Sequence, residues 1–263
     1  FVDCNRFFQI DEALVEGAVT ERTKAVLVTN LYGQACDLAS IRRICNERGL
    51  YMLEDCAQSH GARWEGRASG SWADVSCFSF YPTKPLGAMG DAGACLTDDE
   101  ALAERMLMLR NYGSRRKYVN EICGINSRLD EVQAAMLKVS LSHVDEMRAM
   151  REGIAGRYGE GIGNPAVKLP EVREGAEDVW HIYPVLCERR DELKAFLESR
   201  GVHTQIHYPI PPHKAQCYEG RGCDAADLPL TERFAAQELS LPIYAGMPGD
   251  EVEAVIAAVN DFE

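Results

Sequence analysis

The stretch from Ala25 to Asp55 constrains this chain more than any other. A β-branched run from Ala25 to Tyr32, AVLVTNLY, is followed by a helical pattern and then by a second short apolar run, Tyr51 to Asp55. Asp37 stands where a helix N-cap belongs, Leu38, Ile41, Ile44 and Cys45 recur at helical spacing, and Gly49 supplies the stop. Strand, helix and strand of these lengths make a βαβ unit. Such a unit implies a parallel sheet, a right-handed crossover, and ligand groups displayed at the carboxyl ends of the strands. Asp55 stands at such an end.

The same alternation continues. Val75 to Phe80 and Ala92 to Thr97 read as further buried strands, joined by a loop containing Pro and Gly that carries Thr83 and Lys84. Loops of this kind are where chemistry is displayed. A helix is expected from Asp98 to about Asn111, with Leu102, Met106 and Leu109 on one face. Ser127 and Asp130 have the spacing of a capping box for a longer helix, whose apolar stripe would be Leu129, Val132, Met136 and Val139. Beyond the Gly-rich stretch Gly159 to Asn164 the pattern becomes strand (Trp180 to Leu186), helix (Asp191 to Arg200), strand (Val202 to Tyr208) and two final helices. An α/β fold is therefore expected, with residues 1–150 forming a larger, mostly parallel unit and residues 151–263 a smaller α+β unit.

Composition excludes several function classes. A net charge of −13 and a pI near 5.0 oppose a sequence-independent grip on nucleic acid, which needs clustered Lys and Arg. An anionic ligand must meet a local basic patch, and Arg115, Arg116 and Lys117 are the nearest candidate, against the ordinary reading of a solvated charge run. No apolar run approaches the roughly 20 residues of a membrane-spanning helix, and the opening FVDCNRFF has no secretory pattern, so a cytoplasmic protein is expected. Ten cysteines occur without any Cys-x-x-Cys pair, so no metal site is expected. Cys45, Cys56, Cys77 and Cys95 read as buried thiols.

Two short segments carry reactive side chains. Glu54-Asp55-Cys56-Ala57-Gln58 puts an acid at a strand end with a small residue and an amide after it, and Ser79-Phe80-Tyr81-Pro82-Thr83-Lys84 puts a lysine after a buried strand with a hydroxyl five residues earlier. Taken singly, Lys84 reads as a surface lysine and Asp55 as a turn residue. Their company changes that. VTNLYGQ, EDCAQSHGA, GSWADVSCFSFYPTKPLGAMGDAG, RNYGSRRKY, GINSRLDEVQAA, HIYPV, IHYPIPPH and LSLP, in this order and at these separations, resemble the DegT/DnrJ/StrS family of sugar aminotransferases.

The resemblance implies the PLP-dependent transferase fold type I, with pyridoxal 5'-phosphate (PLP) as cofactor. By that likeness Lys84 would bind the cofactor covalently and then move protons as acid and base, Asp55 would pair with the pyridine nitrogen, and Ala57 would pack near the ring. Gln58 would approach the ring hydroxyl, and Ser79 would bind the phosphate. Asn126 is similar to a residue that reaches the phosphate of the neighbouring subunit, implying a homodimer with shared active sites; the alternative is a helix-entry turn residue beside Ser127. Tyr81, Arg115, Lys117, His207, Tyr208 and His213 are candidates for the substrate, a nucleotide-linked keto sugar, with L-glutamate as amino donor. The subgroup most similar aminates C3 of a dTDP-linked 3-keto-6-deoxyhexose. The resemblance begins part-way into the family's large domain, so a sheet incomplete at its N-terminus, with an unpaired edge, is expected. Two other readings stay open: a noncatalytic shortened paralogue acting in binding or oligomerisation, and a PLP-dependent sugar dehydratase, a group in which His replaces the lysine. Asn30 departs from the His common in relatives and bears on a packing or hydrogen-bond detail.

Overall fold

The computed structural model describes residues 1–222 and 226–263. Its main elements are α1 (Glu12–Ala18), β1 (Ala25–Thr29), α2 (Leu38–Arg48), β2 (Tyr51–Asp55), β3 (Val75–Ser79), β4 (Gly93–Leu96), α3 (Glu100–Leu109), α4 (Glu131–Leu141), α5 (Val144–Gly161), β5 (Tyr183–Leu186), α6 (Arg190–Ser199), α7 (Pro229–Gln237), β6 (Glu238–Leu241) and α8 (Gly249–Asn260).

The βαβ unit forms for the local reasons its residues give. The Asp37 carboxylate accepts the Ser40 N–H at 2.9 Å and opens α2, a cap worth about 1 kcal/mol, while Gly49 closes it in the left-handed region at φ 64°. Leu38, Ile41, Ile44 and Cys45 pack on Val26, Val28 and Met52 of the sheet. β1 and β2 pair in parallel from Ala25↔Tyr51 to Thr29↔Asp55, β3 adds in parallel, and β4 closes the order β1-β2-β3-β4 in the antiparallel sense. β1 is an edge strand.

Strand alternation then sorts the side chains. Val26, Val28, Met52 and Glu54 are buried on the α2 side, and the opposite face carries Leu27, Tyr51, Asp55, Cys77 and Ser79. On that face Leu27 is 61% and Tyr51 63% exposed. Cys77 and Cys95 face one another there across β3 and β4 and are exposed, which corrects the expectation of buried thiols. Cys45 and Cys56 are buried as expected. Asn30 is fully buried and uses both ends of its amide, donating to Glu54 Oε1 at 2.8 Å and accepting from the Cys36 N–H at 2.9 Å.

A second core gathers Tyr158, Tyr183, Leu193, Leu197, Leu239, Val252 and Val259 from α5, β5, α6, β6 and α8. α5 runs through Gly153, Gly156 and Gly159 and ends at Gly161, inside the Gly-rich stretch where the change of pattern was expected. Ile154, Ala155 and Tyr158 bury one face of the helix and outweigh the glycine propensity of about 1 kcal/mol per residue. Residues 202–208 do not form the expected strand; only Gln205 bridges to Ser240. The next backbone donor with ladder potential, His207 N–H, goes to the Glu238 carboxylate at 2.7 Å instead of to a carbonyl.

The expected capping box also fails. α4 begins at Glu131 behind Asp130, whose side chain makes no cap bond, and the Ser127 N–H is taken by Arg110 O at 2.9 Å. Nor is its apolar stripe core. Leu137 is buried against Leu86 and Ala88, but Val132 and Val139 are 67% and 64% exposed. On α3, likewise, Met108 is the buried residue and Leu109 is partly exposed.

Candidate active site

Asp55 ends β2 on the face away from α2. Its Oδ1 accepts the Ala57 N–H at 2.9 Å, which fixes the carboxylate's orientation, and Oδ2 has no protein partner among the described residues. Lys84 lies in the loop between β3 and β4. That loop is drawn tight by Lys84 N–H to Tyr81 O at 2.9 Å and Ala88 N–H to Phe80 O at 2.7 Å. At its neck a Cβ on Gly87 would come within 2.5 Å of Pro82 O, so only glycine closes it without a shift. The Lys84 amine has no hydrogen-bond or ion-pair partner among the described residues. Partial burial lowers its pKa, and the Asp55 carboxylate pulls the other way. A lysine eased toward its neutral form is a nucleophilic one.

Three imidazoles lie within the field of this amine. Burial lowers His60 to about 4, with the Lys84 charge adding to the effect. His181 is lowered to about 3 by burial first and then by Lys84, Arg151, His207 and His60. Burial and Lys84 also lower His207. His60 follows Asp55 by five residues, its ring 5.4 Å from that of Phe78. His181 comes from far along the chain. Val179 N–H donates to Gly33 O and Ile182 N–H to Tyr32 O, and the approach is so close that a Cβ on Gly33 (φ 118°) would lie 2.9 Å from His181 N. His181 Nδ1 is buried and unpaired.

Gln58 ties the cluster together. Its Oε1 accepts the Tyr32 N–H at 2.6 Å and its Nε2 donates to the Tyr208 hydroxyl at 3.2 Å, while Tyr32 OH donates to the His207 carbonyl. Burial raises the Tyr208 phenol, and Glu238 and Asp55 are among the charges that raise it further. Of the residues named from sequence, Asp55, Ala57, Gln58, Lys84, His207 and Tyr208 come together here. Ser79 shares the face of Asp55, and its Oγ accepts the Tyr81 N–H at 3.3 Å.

The remaining sequence candidates are placed differently. Tyr81 lies in the Lys84 loop with its side chain exposed. Arg115 and Lys117 belong to a separate hairpin; Arg115 is within 3.4 Å of Glu104 and 4.0 Å of Glu121, so the run is not a free basic patch, and Lys117 lies over the Tyr118 ring. Asn126 is exposed, accepting from Arg128 Nε at 2.9 Å. His213 is buried against Glu232 at 3.0 Å. It lines, with His207, Tyr208, Tyr32, Leu27 and Phe234, an apolar cavity of about 670 Å³. His60, His181, Tyr32, Glu238 and Ser240 had no role assigned from sequence, although EDCAQSHGA, HIYPV, LSLP and VTNLYGQ held four of them.

An unpaired amine, a carboxylate with one free oxygen, an amide and a hydroxyl on one sheet face suit a ligand bearing an aldehyde, a basic ring nitrogen and a phosphate. PLP is such a ligand, and the residues present fit it. A sequence model of the DegT/DnrJ/EryC1/StrS aminotransferases matches residues 1–260. The chain belongs to this family. It is therefore a PLP-dependent aminotransferase of the α/β class. The aminotransferase is 46% identical over 254 residues to dTDP-3-amino-3,4,6-trideoxy-alpha-D-glucose transaminase of Streptomyces venezuelae, covering 96% of this chain and 67% of that one. It is 45% identical to dTDP-3-amino-3,6-dideoxy-alpha-D-galactopyranose transaminase of Aneurinibacillus thermoaerophilus, covering 97% and 70%. Its fold matches the crystal structure of S. venezuelae DesV in complex with a ketimine intermediate at a TM-score of 0.95, with 45% identity over 99% of this chain and 71% of the other.

The neutral imidazoles give the aminotransferase an acid-sensitive stability. His60 has a folded pKa of about 4, below its ordinary 6.5, so the unfolded chain takes up the proton first as pH falls. The stability this group contributes is complete above pH 6.5 and is lost as pH drops toward 4, by as much as about 3 kcal/mol. In His60→Gln, unfolding free energy measured by urea at both ends of that window falls less steeply than in the wild type. Glu238 and Asp178, both raised to about 7, act in the opposite sense but equally in both proteins. Parallel slopes would show that His60 is not the group responsible.

Proposed function

We propose that the enzyme moves an amino group from L-glutamate to a nucleotide-linked keto sugar, with a dTDP-3-keto-6-deoxyhexose as the substrate. The observation that carries this reading is the free Lys84 amine with its lowered pKa, within the field of Asp55 and three neutral imidazoles. The sugar class follows the names of relatives at 45–46% identity.

The bound cofactor supplies an electron sink that makes the donor's α-proton and the amino-sugar's carbinyl proton removable. This chain supplies the rest. Within each half-reaction Lys84 takes a proton from one carbon as a base and returns it to another as an acid, which suits an amine whose pKa is lowered by burial. Asp55, oriented by Ala57 N–H, keeps a proton on the ring nitrogen. Ala57 packs near the ring, and Gln58, fixed by Tyr32 and Tyr208, is placed for the ring hydroxyl. Ser79 holds the phosphate. Tyr81, His207, Tyr208 and His213 line the sugar's approach.

We also infer a homodimer with shared sites, in which exposed Asn126 serves the neighbouring subunit's phosphate. The uncovered stripe of Val132, Met136 and Val139 on α4 supports it, because monomers rarely leave such rows bare. The division of the chain near residue 150, inside α5, rests on the two separate cores. A cytoplasmic setting accords with the nine described cysteines, all of them thiols.

The test is direct. Purified enzyme with PLP and 15N-labelled glutamate is given a panel of keto-sugar nucleotides, and the label is expected in the amine of a dTDP-3-amino sugar. Release of the glutamate keto acid with none of the panel would exclude the sugar assignment; failure to release it at all would exclude the donor.

A further inference from the structure

The LSLP segment takes no part in the reaction as proposed, yet Ser240 lies at the centre of a buried hydrogen-bond chain behind the site. Ser240 is 6% and Glu238 1% exposed. The Ser240 hydroxyl bonds Glu238 Oε1 on one side and lies 2.8 Å from His207 Nδ1 on the other. Glu238 Oε2 accepts the His207 backbone N–H at 2.7 Å, and Tyr32 OH donates to the His207 carbonyl. His207 is thus held by its backbone at both ends and by one ring nitrogen.

Proton counting fixes the direction of the chain. A serine hydroxyl has one hydrogen, and an ionised carboxylate only accepts. The hydroxyl must then donate to Glu238, and the oxygen's remaining lone pair accepts from the ring, so Nδ1 carries the hydrogen. In a neutral imidazole that leaves Nε2 as an acceptor. Nε2 has no partner among the described residues, and His207 lines the cavity with Tyr208, close enough to Lys84 to feel its charge.

We propose that Ser240, backed by Glu238, is a positioning residue of the active site: it fixes His207 as the Nδ1–H tautomer so that Nε2 offers a lone pair to a sugar hydroxyl beside Lys84. This rests on the reading of the cleft as a keto-sugar site. Glu238 titrates at about 7, raised by burial and held down by its bonds from Ser240 and the His207 N–H and by the charge of Arg190, with the phenols of Tyr32 and Tyr208 nearby. The carboxylate form is therefore secured at about pH 8.5.

At that pH, long-range 1H–15N spectra of the 15N-histidine chain without cofactor are expected to give His207, assigned by its loss in His207→Gln, as the Nδ1–H tautomer. Ser240→Ala shifts it toward Nε2–H, and Ser240→Thr restores it; thermal unfolding confirms that each variant folds. With PLP, Ser240→Ala raises KM for the keto sugar about five- to tenfold, the worth of one hydrogen bond, leaves kcat within about twofold of wild type, and is rescued by Ser240→Thr. A wild-type Nε2–H tautomer, a tautomer indifferent to Ser240→Ala, or an unchanged KM once the tautomer is lost would each overturn the proposal. The tautomer is read without cofactor or substrate, so failure of the sugar assignment is a separate result.

Discussion

Lys84→Ala is expected to lower the transamination rate by about 10³-fold or more and to leave a protein that borohydride cannot tie covalently to its cofactor. The effect is large because one side chain holds two posts. It supplies the nitrogen that anchors the cofactor's aldehyde and the base that moves the substrate proton, and among the described residues it is the lysine whose charge acts on His60, His181 and His207. Fold should be unaffected, since Lys84 is only half-buried and bonds no other side chain among the described residues. Added methylamine would restore part of the proton transfer but not the covalent anchor. A visible absorbance band that survives in Lys84→Ala after gel filtration would place the anchor on another residue and remove the catalytic reading.

Asp55→Asn comes second, with an expected loss in kcat/KM of about 10²-fold or more, equivalent to about 3 kcal/mol of lost charge-assisted hydrogen bonding. The substitution keeps the oxygen that accepts from Ala57 N–H and removes only the negative charge. The ring nitrogen then loses its reason to stay protonated. Two measurements separate this from a packing defect. The Lys84 pKa, read from the pH dependence of cofactor binding, should fall further, because Asp55 is what holds it up against burial; and thermal stability should change little. If Asp55→Asn kept nearly full activity while Asp55→Ala did not, the residue would be a structural acceptor for Ala57 and not the partner of the ring.

Much of the large sheet was legible because its signals are local. Asp37 and Gly49 mark α2 at both ends, and the alternation of Val26, Val28 and Met52 with Leu27 and Asp55 fixes which side chains share a face. The positions of Asp55 and Lys84 follow from the same strand endings. Where the sequence reading went astray, a tertiary partner had overridden a local preference. Ser127 gives its N–H to Arg110 O and not to a helix cap, and His207 N–H goes to the Glu238 carboxylate and not to a strand ladder. The apolar stripe of α4 has the periodicity of a core helix, but periodicity states only that a face is apolar, not what covers it.

By itself, then, the amino-acid order determined the βαβ unit, the strand end that presents a carboxylate, the loop that presents an amine, and the likeness that joins them to a family. Only the tertiary structure decided that His60, His181 and His207 converge on Lys84, that Arg115 is occupied by two glutamates, and that Ser240 and Glu238 stand behind the site. The physical reason is range. Caps, turns and strand alternation act over a few residues and are written in sequence, whereas the pKa of an amine or an imidazole is set by whatever burial and charge the folded chain brings within several ångströms, from positions more than a hundred residues apart.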